Sequence, residues 1–320
     1  MSSIKRIAAG VCLFAISGIA LGQQWPTKPV RVVAPFAPGG GTDLIGRVAA
    51  QKLTEAFGQQ FIVENRPGAG GVLGAEVGIK SPPDGYTFVM ISGSYTVNPS
   101  LYKLKFDPVN DISAVVQFSQ GPFLVVVHPS LPVRNTKELI ALARSKPEQI
   151  NFASSGQGSI THLATELFLD MAGVKLTHVP YKGTAPALTD TISGQTALLF
   201  GSVSATIQQT KNNRLRAIAV TTPKRVPALP DVPTIAESGL PGYEAILWHG
   251  LIAPRNVPKA IIDRTNEVLN KALRTKDMEE RLAGDGVAPA GGTPDQFQAR
   301  IRSDVALWAK VVKKAGVKVE

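Results

Sequence analysis

The sequence predicts an α/β fold with two domains of ordinary size. Short apolar runs alternate with amphipathic segments along nearly the whole chain, which is typical of parallel sheets covered by helices. The chain has 320 residues, 44% of them hydrophobic, and this is enough apolar material for two cores. Aromatic residues make up only 6%, which argues against a nucleic-acid platform built on base stacking.

The predicted strands are short apolar runs bounded by glycine, proline or polar residues. The run at 123–129 is almost wholly apolar, as expected for a strand buried on both faces. The stretch 221–244 holds five prolines, so we expect a long ordered connection there instead of regular structure. The strands are expected at 30–36, 61–66, 86–92, 123–129, 150–155, 176–181, 196–202 and 215–222.

The predicted helices show apolar residues at helical spacing. Thr42 and Thr136 are the predicted N-caps of the helices that follow them. The last helix is expected to bury one face in a core, with Phe297, Ile301, Val305, Trp308 and Val312 on it. The helices are expected at 42–57, 70–81, 136–145, 159–172, after Pro186, 258–274 and 294–315.

The N-terminus has the pattern of a secretory signal peptide at 1–22. Lys5 and Arg6 precede an apolar run, and small residues at 20–22 form a cleavage site, so the mature chain would begin near Gln23. The alternative is a membrane anchor, but the run is shorter than the ~20 residues that a spanning helix needs. The only cysteine, Cys12, lies within this segment. A mature chain without cysteine suits an oxidising compartment, and we expect a bacterial periplasm.

The formal net charge of +10 has two interpretations. It can serve solubility alone, or it can attract small anions. The sequence contains no lysine and arginine tract and no helix-turn-helix pattern, so we expect no nucleic-acid partner.

Three segments share one design, in which a strand is followed by a loop of glycine and small polar residues and then by a helix. They are PFAPGGGTD at 35–43, ASSGQGSITHL at 153–163 and PYKGTAPAL at 180–188. A helix N-terminus presents unpaired N–H groups and partial positive charge, and glycine lets a ligand approach the backbone. Each loop alone can be a structural turn. Together they predict a site for one carboxylate-sized anion at the carboxyl ends of the strands.

Enzymatic and metal sites are weakly indicated. The four histidines are far apart in the sequence without metal-ligand spacing, and we expect neither a metal nor a cofactor. The alternative function is an exported α/β hydrolase acting on a carboxylate ester, with Ser154 or Ser159 as nucleophile and His162 as base. No acid that would orient His162 is evident. Independently of that alternative, His162 is a candidate ligand contact in the first turn of its helix, or it can equally serve as a capping or core residue.

Polar and aromatic residues after other strands are candidates for the distal part of a ligand. Ser94, Tyr95 and Ser202 can select it, and Trp248 can form an apolar wall or pack in the core. Ser92 opens the same segment as Ser94 and Tyr95.

Seven motifs in order resemble the Bug family, the periplasmic solute-binding proteins of tripartite tricarboxylate transporters. They are WPTKPVRVVAPFAPGGGTD, VENRPGAGGVLGAE, DGYTFVM, NPSLY, FASSGQGSITHL, HVPYKGTAPAL and VPTIAESGLPGYE. The resemblance covers essentially the whole mature chain. It implies a two-lobed periplasmic binding protein of type II, a Venus flytrap that closes on its ligand by a hinge motion, each lobe a mainly parallel sheet flanked by helices. Lobe 1 would comprise 23–121 and 246–320, and lobe 2 would comprise 122–245.

The resemblance also implies function and site residues. The protein would be a monomeric receptor and not an enzyme. It would capture a small organic carboxylate and deliver it to the permease subunits of a tripartite tricarboxylate-type transporter in the membrane. The first glycine loop and the loop matching SSGQGS would clamp one carboxylate by backbone N–H groups. A departure is Tyr95, which stands where many relatives have a smaller or histidine side chain and which would favour a longer or aromatic acid. The implied clamp residues are Phe36, Gly40, Gly41, Thr42, Ser154, Ser155, Gly156, Gly158, Ser159, Tyr181 and Gly183.

Overall fold

The computed structural model describes residues 25–284 and 286–315. The predicted signal peptide at 1–22, with Cys12, lies outside these residues. Within the described ranges, no helix is both long enough and apolar enough to cross a membrane.

Strands and helices alternate as the sequence predicts. The strands are β1 Val30–Ala34, β2 Phe61–Asn65, β3 Thr87–Ser92, β4 Ile112–Val127, β5 Asn151–Ser154, β6 Thr177–Pro180, β7 Leu198–Ser202, β8 Arg216–Val220, β9 Ile246–Pro254 and β10 Ala288–Gly291. The helices are α1 Gly41–Phe57, α2 Val72–Ile79, α3 Ser94–Val97, α4 Thr136–Ser145, α5 Ile160–Ala172, α6 Thr184–Ile192, α7 Val203–Lys211, α8 Lys259–Leu273, α9 Lys276–Gly284 and α10 Pro294–Ala315.

The strands form one ten-stranded sheet whose two halves share the long strand β4. The order is β2-β1-β3-β9-β4-β7-β5-β6, with β10 and β8 also paired to β4. Up to Pro122, β4 pairs with β9, and from Phe123 it pairs with β7 and β8. We call the half with β1, β2, β3, β9 and β10 sheet A, and the half with β5, β6, β7 and β8 sheet B.

The α/β class is confirmed, but the sheets are mixed instead of mainly parallel. The strand pairs β1–β2, β1–β3, β5–β6 and β5–β7 are parallel. The central strands β4 and β9 run antiparallel to each of their neighbours. A chain that passes from one sheet to the other on β4 and comes back on β9 places these two strands side by side in opposite directions.

Both sheets carry helices on both faces, and the hydrophobic core is correspondingly divided. Two clusters of buried side chains flank sheet A, and two flank sheet B. Helix α10 contacts both halves, since Phe297 and Ile301 lie in a core of sheet A and Val312 lies in a core of sheet B. The lobe bounds stay a prediction. Helix α10 lies wholly within the segment predicted for lobe 1, yet its Val312 packs in a core of sheet B.

Both predicted N-caps are wrong, Thr42 by two residues and Thr136 by one. Helix α1 begins after Gly40, whose backbone is extended, so Thr42 lies within its first turn. Helix α4 is capped by Asn135, whose side chain accepts a hydrogen bond from the Glu138 N–H at 3.0 Å, instead of by Thr136. An asparagine side chain reaches the free amide of the first turn well, which explains the preference.

Candidate functional site

A cavity lies between sheets A and B, at the carboxyl ends of their parallel strands. About 350 Å³ of space between the atoms lies here, and this figure includes open solvent. It is lined by Phe36, Gly40, Gly41, Thr42, Ser92, Ser94, Phe123, Ser155, Ile160, Thr161, Thr184, Ser202, Leu247 and His249. None of these described lining residues is a lysine, an arginine or an acid. An anion bound here would therefore depend on backbone dipoles and neutral hydrogen-bond donors.

Among the described helices longer than one turn, three begin at this cavity without a side-chain cap. They are α1, α6 and α7, whose N-cap residues Gly40, Gly183 and Ser202 make no capping hydrogen bond from their side chains. The uncapped N–H groups of a helix carry partial positive charge and remain free for a ligand. Three such ends at one cavity make it suited to a carboxylate.

Two of these helix starts touch at Gly41 and Ser202. A Cβ atom on Gly41 would lie 2.6 Å from Ser202 Oγ and 2.8 Å from Ser202 Cβ, so only glycine fits this contact without displacement. The hydroxyls of Ser202 and of nearby Ser204 are buried and, among the described residues, have no hydrogen-bond partner. Burying a hydroxyl without a hydrogen-bond partner costs free energy, so Ser202 Oγ is a candidate hydrogen-bonding group for a ligand. We call the group of Gly40, Gly41, Thr184 and Ser202 the helix end of the cavity.

Asp43 stabilises the glycine loop and does not line the cavity. Its carboxylate accepts hydrogen bonds from the Gly39 N–H at 2.9 Å and from Asn65 at 3.0 Å, and it pairs with Arg47 at 3.0 Å. Burial acts to raise the pKa of Asp43, but the hydrogen bonds from Arg47, Gly39 and Asn65 outweigh it and lower the pKa. The loop is thus held in shape by an ionised side chain whose oxygens are already engaged.

The second glycine loop differs from the prediction because its N–H groups are bound within the protein. The Ser155 N–H donates to Thr161 Oγ1 at 2.9 Å, the Gly156 N–H to Ser154 Oγ at 3.1 Å and the Gly158 N–H to His162 Nδ1 at 3.1 Å. Ser159 caps α5. Of the predicted contacts here, only Ser155 lines the cavity; the structure places Ser154, Gly156, Gly158, Ser159 and His162 behind it.

His162 belongs to a buried aromatic stack. Its ring lies 3.8 Å from the ring of His178, which stacks in turn on Phe152 at 4.8 Å. Burial, together with the charge that His162 would carry, lowers the pKa of His178 to about 3. Ser159 Oγ accepts from the backbone N–H of His162 and not from its ring, and Ser154 Oγ contacts His178 at 2.6 Å. The predicted pairing of a serine nucleophile with the His162 ring is therefore not formed.

The third glycine loop joins the two sheets directly. The Ala37 N–H donates to the Lys182 carbonyl at 3.0 Å, linking the loop after β1 to the loop after β6. Gly183 has φ +146°, and a Cβ atom there would lie 2.9 Å from the Ala37 nitrogen. Gly183 is thus a packing residue of the loop contact and does not line the cavity. Tyr181 also lies outside it, because its hydroxyl donates to Asp190 at 2.7 Å; burial first, and then Asp190, raise the pKa of Tyr181 to about 12.

Tyr95 and Trp248 are core residues, which corrects their predicted role at the ligand. The Tyr95 hydroxyl donates to the Pro108 carbonyl at 2.8 Å, and its ring stacks on Phe106. The Trp248 ring packs edge-on against Phe297, and its N–H donates to Asp304 at 2.9 Å. Both side chains lie in one core cluster of sheet A, and neither lines the cavity.

The corrected place of Tyr95 gives a testable expectation. Tyr95→Phe removes one hydroxyl-to-carbonyl hydrogen bond and should lower the free energy of unfolding by about 0.5–1.5 kcal/mol. It should leave ligand affinity and selectivity unchanged, because the hydroxyl faces Pro108. Denaturant unfolding and titration calorimetry measure the two quantities. A change in the relative affinity for short and long acids would indicate that Tyr95 does contact the ligand.

The sequence did not predict six residues that line the cavity: Phe123, Ile160, Thr161, Thr184, Leu247 and His249. Thr184 and Thr161 follow the predicted glycine loops directly, so their position in the sequence could have indicated them. His249 is brought in by strand pairing, since β9 lies between β3 and β4 and sets His249 beside Ser92 and Ser119. The sequence around His249 has no pattern that predicts the pairing of β9 with β3 and β4.

His249 is almost wholly buried, and burial lowers its pKa to about 3. In the unfolded chain an ordinary histidine takes up a proton below about pH 6.5, whereas folded His249 stays neutral, so its contribution to stability falls as the pH falls from 6.5 towards 3. Between pH 7 and pH 5 we expect wild type to lose about 2 kcal/mol of unfolding free energy relative to His249→Gln. Urea unfolding of both proteins at the two pH values measures this. An equal loss of unfolding free energy in wild type and in His249→Gln would contradict the lowered pKa of His249.

Among the described residues, no group of three or more histidine, cysteine, aspartate or glutamate side chains is placed to hold a metal ion. The site is therefore best described as a neutral cavity that carries helix N-termini, hydroxyls and one uncharged imidazole.

A family model described as the tripartite tricarboxylate transporter family receptor matches residues 45–317 of this chain. The chain belongs to this family. Members are substrate receptors and not enzymes, which removes the support for the hydrolase alternative. The predicted resemblance to Bug proteins is confirmed, since the solved periplasmic binding protein BugD is 34% identical, with a TM-score of 0.89 and coverage of 92% of this chain and 100% of BugD.

Two further solved structures with a similar fold contain carboxylates. An adipate-bound protein from R. palustris is 38% identical, with a TM-score of 0.89 and coverage of 92% of this chain and 99% of that one. MatC from Rhodopseudomonas palustris, with bound malate, is 29% identical, with a TM-score of 0.86 and coverage of 90% and 100%. The fold of the receptor is thus shared with proteins that hold small dicarboxylates.

Proposed function

We propose that this receptor captures a small organic carboxylate between two lobes in the periplasm and delivers it to the membrane subunits of a tripartite tricarboxylate-type transporter. The observation that carries the proposal is the helix end of the cavity. Three uncapped helix starts and the unpartnered Ser202 hydroxyl meet there without a charged side chain among the described lining residues. The candidate ligands are dicarboxylates, tricarboxylates and aromatic carboxylates.

The mechanism is binding by closure, without a reaction. Water leaves the carboxylate as the lobes close, and helix N–H groups together with Ser202 Oγ replace its hydrogen bonds. The loop contact between Ala37 and Lys182 would hold the closed arrangement. The adipate-bound and malate-bound relatives support the carboxylate class, and the division into lobes at 23–121 with 246–320 and at 122–245 is part of the proposal.

Thermal unfolding against a panel of acids tests this function. The panel holds aliphatic and aromatic mono-, di- and tricarboxylates, each matched with its methyl ester. A ligand at a hundred times its dissociation constant adds about 2.7 kcal/mol to the free energy of unfolding, which raises the midpoint by a few degrees. We expect at least one acid to stabilise the protein while its ester does not. A flat response from protein that has been unfolded, freed of bound molecules and refolded would contradict the proposal.

The same preparation tests the remaining parts of the proposal. Light scattering should give the mass of one mature chain, as expected for a monomeric receptor. The acid recovered after binding should be chemically unchanged. Release of an alcohol from any ester in the panel would instead favour hydrolysis.

A further inference from the structure

A second part of the cavity lining is built on three neighbouring strands. Ser92 on β3, His249 on β9 and Ser119 on β4 are paired in register, so the imidazole lies between two serines. Ser92 and His249 line the cavity, whereas Ser119 is fully buried behind it. Ser94, also in the lining, follows from β3. We call Ser92, Ser94 and His249 the strand end of the cavity.

Ser119 fixes which nitrogen of His249 carries the proton. Ser119 Oγ lies 3.3 Å from His249 Nδ1, and this is the only hydrogen bond of that hydroxyl within the described part of the chain. If Ser119 donates, its buried proton is satisfied and Nδ1 accepts; if it accepts, its proton is left without a partner, which is costly. The first arrangement is favoured. The neutral imidazole then carries its proton on Nε2, the nitrogen that does not face Ser119.

The strand end consequently presents donors. Ser94 Oγ accepts from the Ile160 N–H at 3.0 Å, which leaves its own proton free to donate. His249 Nε2–H has no protein acceptor among the described residues. A ligand whose far end is a methyl group would leave both donors buried and unpaired, whereas an oxygen acceptor would satisfy them.

We propose that His249, positioned by Ser119, determines specificity by donating from Nε2 to an oxygen acceptor at the end of the ligand opposite its clamped carboxylate. The substrate class is a carboxylate that carries a second oxygen acceptor at its far end. This inference rests on the proposed function, because it assumes that the first carboxylate occupies the helix end.

The experiment compares acids of equal length that differ only in the far group. Adipate against hexanoate and succinate against butanoate are titrated into wild type and variants by calorimetry. In wild type, we expect the dicarboxylate of at least one pair to bind at least ten times more tightly. His249→Phe removes the donor but keeps a flat ring, and it should bring the ratio within that pair towards one while the monocarboxylate keeps its affinity. Ser119→Ala removes the hydrogen bond that positions the His249 ring but keeps the ring. It should lower the ratio of dicarboxylate to monocarboxylate affinity by a smaller factor.

The chain offers a matched control in a second histidine–serine pair. His128 Nδ1 lies 2.6 Å from Ser130 Oγ, away from the cavity lining, so His128→Phe should leave the ratio unchanged. An unchanged ratio in folded His249→Phe would overturn the inference, and so would an equal loss of affinity for both acids of a pair. If His249→Phe does not fold, an unchanged ratio in Ser119→Ala overturns it. If no acid in either pair or in the thermal panel binds wild type, the proposed function itself fails.

Discussion

Gly41→Val is expected to weaken binding of the stabilising carboxylate by about 100-fold or more while the protein remains folded. The new Cβ would lie 2.6 Å from Ser202 Oγ, so the valine side chain fills the contact between α1 and α7. It displaces this hydroxyl, which has no hydrogen-bond partner within 25–284 and 286–315. Loss of one or two hydrogen bonds to a charged group, each worth about 1.5–3 kcal/mol, accounts for this factor. Titration calorimetry measures the affinity.

The control for Gly41→Val is Gly284→Val at the end of α9, where a Cβ would meet no atom within 4 Å. It changes the same residue type in a helix without reaching the cavity, so its affinity should equal that of wild type. We expect Gly41→Val to lower the free energy of unfolding by about 1–3 kcal/mol through overpacking. Normal affinity in a folded Gly41→Val protein would contradict the assignment of the helix end.

Gly183→Val is expected to abolish high-affinity binding by a different route. Its backbone has φ +146°, a region that L-residues rarely adopt, and its Cβ would lie 2.9 Å from the Ala37 nitrogen. The loop after β6 would be pushed away from the loop after β1, and the hydrogen bond from the Ala37 N–H to the Lys182 carbonyl would be lost. Because closure then fails, the ligand keeps its water, and we expect affinity to fall by about 100-fold or more.

Gly194→Val separates this effect from backbone strain. Gly194 also has positive φ, but a Cβ there would meet only the His128 ring, outside the cavity lining. It should lower stability and keep affinity. Small-angle scattering with saturating ligand supplies an independent measure, since wild type should become more compact on binding and Gly183→Val should not. Compaction of Gly183→Val to the wild-type dimensions would show that the loop contact is not needed for closure.

The helix end was predictable from sequence because its signal is local. Three glycines before the apolar pattern of α1 indicate a helix start that a ligand can approach, and the structure places Gly40, Gly41 and Thr42 in the lining. The similar pattern at 153–163 does not leave its N–H groups open to a ligand in the structure. There the side chains of Ser154, Thr161 and His162 bind the loop's own N–H groups, and sequence alone does not reveal which donors are already used.

Helix α7 was missed because its sequence, VSATIQQTK, is polar and rich in β-branched residues, which have modest helix propensity. Its packing in the tertiary structure overrides that preference. The sequence did single out Ser202 just before it, but as a residue for the distal part of a ligand. The structure places Ser202 against Gly41 instead, at the helix end.

Strand pairing explains several further differences. The first half of β4 and all of β9 were not predicted, although β9 carries His249 into the cavity. Tyr95 and Trp248 looked like ligand contacts because aromatic side chains near polar loops often are, yet both are directed into a core of sheet A. Which face of a strand or short helix meets the ligand depends on register, and register involves residues far apart in the sequence.

A crystal structure of the mature protein with the acid that stabilises it most tests the account directly. We expect one carboxylate of that acid within 3.2 Å of a backbone nitrogen in the first turn of α1 and of Ser202 Oγ, with no lysine or arginine side chain in contact. A carboxylate paired with a cationic side chain, or bound away from Gly41 and Ser202, would contradict the claim that helix N-termini and neutral donors hold the anion.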